Sequence, residues 1–233
     1  MNGPPLGVAG VAHLLLFGVL LPIAAVRTVS VLRAHGWPPR SVLYRSILVQ
    51  QVFFLGASLI VAWFEDVPLV VRPAHPAHVA LGVAGALALV AALWPVWRSS
   101  VARRDDRVMQ AAPRTRDDMV GWGLVSLAAG IAEEIAFRGV LFVLLLRLTG
   151  SAAVAAVLVS VAFGVGHSVQ GRGGIAAVSG IALLLHGVTW FTGSLATAMV
   201  MHVLYDLCAG IGLRALAGRS WCEEGAERAE GAA

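Results

Sequence analysis

The chain has 233 residues, 58% hydrophobic and 13% charged, with a mean hydropathy of +0.82. Soluble domains carry about 25% charged residues, so the composition excludes an ordinary soluble fold and points to a membrane protein. The net charge of +4 comes from 17 arginines and no lysine, placed between apolar runs rather than along one face, which excludes a nucleic-acid footprint.

Taken in order, the chain begins MNGPPLG, with no basic stretch ahead of its first apolar run. That run, LGVAGVAHLLLFGVLLPIAAV, is long enough to span and reads as a retained helix rather than a cleaved signal. Seven apolar segments follow this pattern, near 6–26, 42–64, 77–97, 119–146, 151–169, 174–192 and 194–213. The breaks between them carry Gly, Pro or charge, as connections do. The expectation is all-α: one polytopic transmembrane helical bundle over 1–213, of about seven spans, with a polar C-terminal tail over 214–233. Cys208 and Cys222 form neither a disulfide framework nor a metal-binding spacing.

Arginine placement orients the bundle. The first loop holds Arg27, Arg33 and Arg40; the third holds Arg98, Arg103, Arg104, Arg107, Arg114 and Arg116; the tail adds Arg214, Arg219 and Arg228. The second loop has only Arg72 and the fourth only Arg147. The bias puts the first loop, third loop and tail in the cytoplasm. An Ala-, Gly- and Arg-rich chain suggests a bacterial gene, hence the bacterial cytoplasmic membrane. The fourth segment would measure about 42 Å as one straight helix at ~1.5 Å per residue, more than the ~30 Å hydrocarbon core. It must tilt, start in the interface, or bend, and Gly121, Gly123 and Gly130 favour a bend near Gly130.

Only Glu133, Glu134 and Asp206 among the 13 acids fall inside apolar segments, with His13, His167, His186 and His202. Ionisable groups in a membrane are costly and face a bundle interior or a wet cavity. Glu134 and Arg138 stand at i, i+4 in the favourable order for an ion pair. Glu133 points about 100° away, toward something else. Phe163 and His167 share one helix face, and His202 and Asp206 another. A carboxylate and two imidazoles at one depth are what activation of a water molecule requires.

Glu-Glu-x-x-x-Arg at 133–138, Phe-x-x-x-His at 163–167 and His-x-x-x-Asp at 202–206, in this order on separate apolar segments, resemble the CPBP family of intramembrane proteases. This family holds the type II CAAX prenyl endopeptidases and bacterial relatives, some tied to bacteriocin processing or immunity. FTGSLATAMVMHVLYD, residues 191–206, resembles its turn and last catalytic helix, and the likeness covers about 119–210. The resemblance implies an endopeptidase acting on a membrane-embedded or lipid-associated peptide, with its site toward the cytoplasmic side. It implies that Glu133 and His167 activate the water, that His202 with residue 206 stabilises the oxyanion, and that Glu134, Arg138 and Phe163 support the site. Many relatives have Asn where this chain has Asp206, and an ionised Asp cannot donate to an oxyanion. Family members are usually described as metalloproteases. Glu133, His167 and His202 are acceptable ligand types for a divalent metal such as zinc with one position open, and metal-free hydrolysis fits the same residues.

Milder readings apply elsewhere. His13 and His186 read as packed core histidines. His75 and His78, in PAHPAH, read as a solvated proline-rich loop, and Ser194 has no base partner for a serine protease. Asp105–Asp106 and Asp117–Asp118 read as a solvated face. Gly82, Ala86, Gly164 and Gly166 read as small residues that let helices approach. Two other functions stay in view: a non-catalytic peptide-binding or immunity protein on the same scaffold, and a proton-coupled transporter, disfavoured because the two halves show no repeat.

Overall fold

A computed structural model describes residues 6–72 and 75–230, with side chains through Gly218; Cys222, Arg219 and Arg228 therefore lie outside the described side chains. Among the described residues the fold is all-helical. Helix α1 spans Val8–His35, with a π-helical turn at Leu16–Leu20. Then come α2 (Arg40–Phe64), α3 (Pro76–Ala102) and the short α4 (Asp106–Ala111). Helix α5 covers 116–149 in three parts: α-helical Arg116–Glu133, π-helical Glu134–Leu141 and α-helical Phe142–Thr149. Helices α6 (Ala152–Gly166), α7 (Gly171–Thr192) and α8 (Leu195–Glu230) complete the chain, α8 being interrupted at Gly218.

Five helical stretches among the described residues are long and apolar enough to cross a membrane: Val8–His35, Arg40–Phe64, Pro76–Ala102, Ser168–Thr192 and Leu195–Gly218. The expected count of about seven is met only for these five. Helix α6 is apolar but has 15 residues, about 22 Å at ~1.5 Å per residue. Helix α5 carries two glutamates and an arginine in its middle. The long helices are apolar almost all round, and large side chains such as Val49, Val52, Trp63 and Phe64 are exposed, the pattern of a lipid-facing wall.

Each end of α5 is held by identifiable bonds. At its start Thr115 and Asp118 form a capping box: the Asp118 N–H donates to Thr115 Oγ1, and Asp118 Oδ2 accepts from the Thr115 N–H, both at 3.0 Å. Arg214 of α8 donates to the Thr115 carbonyl at 2.8 Å. Asp105 caps α4 and is clasped by Arg107 at 2.7 Å, a hydrogen bond that holds its carboxyl below the usual aspartate range. Two of the four loop acids expected to form a solvated face are thus caps, at Asp105 and Asp118.

Gly130 has a packing role. A Cβ there would collide with Val203 of α8, so Gly130 sets the close approach of α5 to α8, and the change to π-helical turns begins four residues later. Gly82 likewise faces the Thr197 carbonyl of α8, and Gly164 faces Ser179 of α7, as expected of small packing residues. Gly166, expected to do the same, faces open space. Enlarging Gly130 overpacks this crossing: Gly130→Val is expected to lower stability by about 1–3 kcal/mol, read as a lower unfolding midpoint in detergent. An unchanged midpoint would show that α5 and α8 can separate freely.

The N-terminal helix is fastened from α2. The Glu65 carboxylate accepts from the N–H groups of Gly7 (3.1 Å) and Gly10 (2.7 Å), satisfying free donors at the start of α1. Arg147 at the end of α5 donates to the Glu65 carbonyl at 2.8 Å. Ser194 is buried and caps α8: its hydroxyl accepts from the Ala196 N–H and donates to the Arg72 carbonyl, which gives it a structural occupation. His75 Nδ1 accepts from the Ala77 N–H and so caps α3.

Candidate active site

Helices α2 to α8 line a cavity of about 280 Å³. Its lining includes Gln51, Glu133, Phe163, His167, His202 and Asp206. The four residues expected to be catalytic therefore share one cavity. The supporting pair, Glu134 and Arg138, lies behind it, wholly out of solvent.

Glu133 is the last α-helical residue before the π-helical turns of α5. Such turns widen the helix and are frequent at functional sites. The widening frees backbone acceptors, and His13 of α1 reaches one of them: its Nε2 stands 3.2 Å from the Ala136 carbonyl while its ring stacks on Phe17. Phe17, Phe54, Phe137 and Phe163 pack edge to face around this stretch. His13 is thus a buried packing histidine, as expected, and it braces the segment that carries Glu134 and Arg138.

Gln51 reaches Glu133 from α2. Its Nε2 donates to Glu133 Oε1 at 2.7 Å, and both residues are buried. The sequence reading missed this partner. A signal was present, since Gln50 and Gln51 stand together in an otherwise apolar run, but nothing local says which of them faces inward. The other oxygen, Oε2, lies 3.9 Å from His202 Nε2.

His202 is held at both nitrogens. Nδ1 stands 2.7 Å from Glu134 Oε1, and Nε2 stands 3.5 Å from Asp206 Oδ2 one turn along α8. The same Glu134 oxygen accepts from Arg138 Nη1 at 2.6 Å. The expected i, i+4 ion pair is therefore present, and it also anchors His202. The guanidinium lies over the Phe163 ring, 5.1 Å from its centroid, so Phe163 supports the pair by stacking.

His167 ends α6. Its Nδ1 stands 2.8 Å from the Phe163 carbonyl, an acceptor left open by the helix terminus. A proton on Nδ1 makes that bond and leaves Nε2 as an acceptor. The Asp206 side chain is 28% accessible, more than that of Glu133 or His202, and its backbone carbonyl accepts from Trp122 Nε1 at 2.8 Å.

Glu133, His167 and His202 are suitable donors for zinc by type. As placed, no three His, Cys, Asp or Glu side chains among the described residues converge to hold a metal ion. The ring nitrogen His202 turns toward Glu134 is already engaged, and its other nitrogen is shared between Glu133 and Asp206. His75 and His78, with ring centroids 6.3 Å apart, also form no such group.

Residues 115–208 match the family model described as Type II CAAX prenyl endopeptidase Rce1-like. No curated protein and no solved structure matches the chain. The matched segment holds Glu133, Glu134, Arg138, Phe163, His167, His202 and Asp206, and omits the first two helices, which supply His13 and Gln51. These residues gather about one cavity between apolar helices, and the 115–208 match is a likeness of that segment to the CPBP/CAAX protease family, in a chain whose five long apolar helices are those of an integral membrane protein.

Proposed function

We propose that the chain is an intramembrane endopeptidase that hydrolyses a membrane-embedded or lipid-associated peptide by direct attack of water. The observation that carries this reading is the Glu133 carboxylate, held at one oxygen by Gln51 and facing His202 with the other, in a cavity that His167 also lines. Glu133 takes a proton from water placed between it and His167 Nε2. The resulting hydroxide attacks the peptide carbonyl carbon. The oxyanion forms toward His202 Nε2–H, the imidazolium being stabilised by Glu134 and Asp206. Glu133 then returns its proton to the amine as the C–N bond breaks, so one water yields one carboxylic acid and one amine.

Asp206 fits this scheme as the group that orients and charges His202, not as an oxyanion donor. A divalent metal belongs to the proposal only through residue type: Glu133 and His167, with His202 if it turned from Glu134, would hold it, and it would polarise the carbonyl and acidify water. No step above runs through it. The arginine-rich loops lie at the end of the bundle where Ala111, Trp122 and Gln170 border the cavity, which supports water entry from the cytoplasmic side of a bacterial membrane.

The test uses purified protein in detergent, a membrane-peptide library and ¹⁸O-labelled water, read by mass spectrometry with elemental analysis of the same sample. Cleavage with one ¹⁸O in the new carboxylate, and no trapping by hydroxylamine, is the expected result. Products carrying a trapped acyl group would sink direct hydrolysis. Retention of peptides without cleavage would favour a binding or immunity protein.

Gln51 gives a second expected outcome. Hydrogen bonds to charged groups contribute about 1.5–3 kcal/mol, and ~1.36 kcal/mol is tenfold in rate. Gln51→Leu should therefore lower kcat by about tenfold or more with little change in KM. Unchanged kcat would reduce Gln51 to a packing residue.

A further inference from the structure

A second, open pocket of about 290 Å³ shares no lining residue with the catalytic cavity. It is bordered by the α2–α3 connection at Pro68 and Val70, by α5 at Arg138 and Phe142, and by α7 at His186 and Thr189. Its walls are mostly apolar, and Trp190 stands exposed at its rim. Three polar groups on these walls lack partners. Arg138 is 3% exposed, and its Nε and Nη2 make no hydrogen bond. His186 is 7% exposed, and its Nε2 has none. The buried Thr189 hydroxyl also has none.

These groups share one chemistry. Glu134 engages only Nη1 of Arg138. Nε and Nη2 form the side edge of the guanidinium, the fork that binds a carboxylate or phosphate through two parallel hydrogen bonds. Buried donors are normally satisfied, and an unsatisfied one calls for an occupant. A neutral His186 with its proton on Nε2 donates, and so does the Thr189 hydroxyl. His186 is the packed core histidine its sequence context implies, set against Phe142, with one ring nitrogen left unbonded.

We propose that this pocket is an oxyanion-binding site, taking a phosphate group on the unbonded, buried Nε–Nη2 edge of Arg138, reached by a local shift of the pocket wall, with Thr189 and His186 as further donors. The apolar walls and exposed Trp190 suit a phosphate carried on an apolar body; a free phosphate offers the same headgroup chemistry. The site is separate from the cavity assigned to hydrolysis, and its occupancy can be read without any cleavage assay.

The experiment places the full chain in nanodiscs of phosphatidylcholine and titrates inorganic phosphate, with chloride as the control. A parallel series replaces part of the phosphatidylcholine by phosphatidylglycerol. Unfolding midpoint and tryptophan fluorescence are the readouts. Thr189→Val and His186→Phe, alone and combined, remove donors while leaving the Glu134–Arg138 pair intact, and monodispersity confirms that they fold. A saturable shift with phosphate in neutral nanodiscs identifies a free anion, and a shift only with phosphatidylglycerol identifies a lipid headgroup. Either supports the site if the combined variant weakens it about tenfold or more. No saturable shift in either series, an equal shift with chloride, or variants that respond like the wild type would overturn it.

Discussion

Glu133→Gln abolishes hydrolysis and leaves the bundle folded: this is the largest effect expected from any single substitution. General-base catalysis contributes about 10²–10⁴-fold, and an amide at this position cannot accept the proton of the attacking water. The fold should survive because Gln51 bonds to Glu133 Oε1 through its Nε2, and the carbonyl oxygen of a glutamine side chain can take the same bond. Turnover of a cleavable membrane peptide, with the unfolding midpoint measured beside it, checks both halves. Wild-type turnover in the variant would remove Glu133 from the chemistry. Lost turnover with a collapsed midpoint would show a structural role instead.

The second large effect is on stability. Glu134 and Arg138 have no side-chain exposure and are joined at 2.6 Å. Removing one member of a buried pair leaves an uncompensated charge, at a cost of about 3–5 kcal/mol. Arg138→Ala should lower the unfolding midpoint sharply, with Glu134 Oε1 left to His202 alone. Replacing both partners by apolar residues of similar size, Glu134→Leu with Arg138→Met, removes the unpaired charge and should recover most of the stability. The double variant should remain inactive, because His202 has lost its partner. A stable and fully active double variant would show that the pair contributes neither to the fold nor to the position of His202.

These predictions draw on two kinds of information. Glu134–Arg138 and His202–Asp206 were legible because each pair lies within one helix, where a separation of four residues brings side chains together whatever the helix packs against. The apolar segments were legible because hydropathy is a property of consecutive residues. Two of them fall short of a span by length or charge because their boundaries depend on where helices pack: α6 ends at His167, whose ring takes the Phe163 carbonyl, and α5 changes to π-helical turns at Glu134. Gly130, read from the sequence as a place to bend, is instead where α5 crosses α8 closely, which depends on a residue of another helix.

By itself, then, the sequence determined an all-helical membrane chain, the ionisable residues that do not belong in lipid, and the face each takes on its own helix. Only the tertiary structure decided that Gln51 holds Glu133, that His13 braces the π-helical turns, that Glu134 serves Arg138 and His202 through one oxygen, and that Arg138, which borders a second pocket, keeps two buried donors unbonded. The reason is geometric. Spacing along one helix fixes angles about its own axis, whereas a partner on another helix depends on the rotation and depth of both, which are set by close packing of the whole bundle.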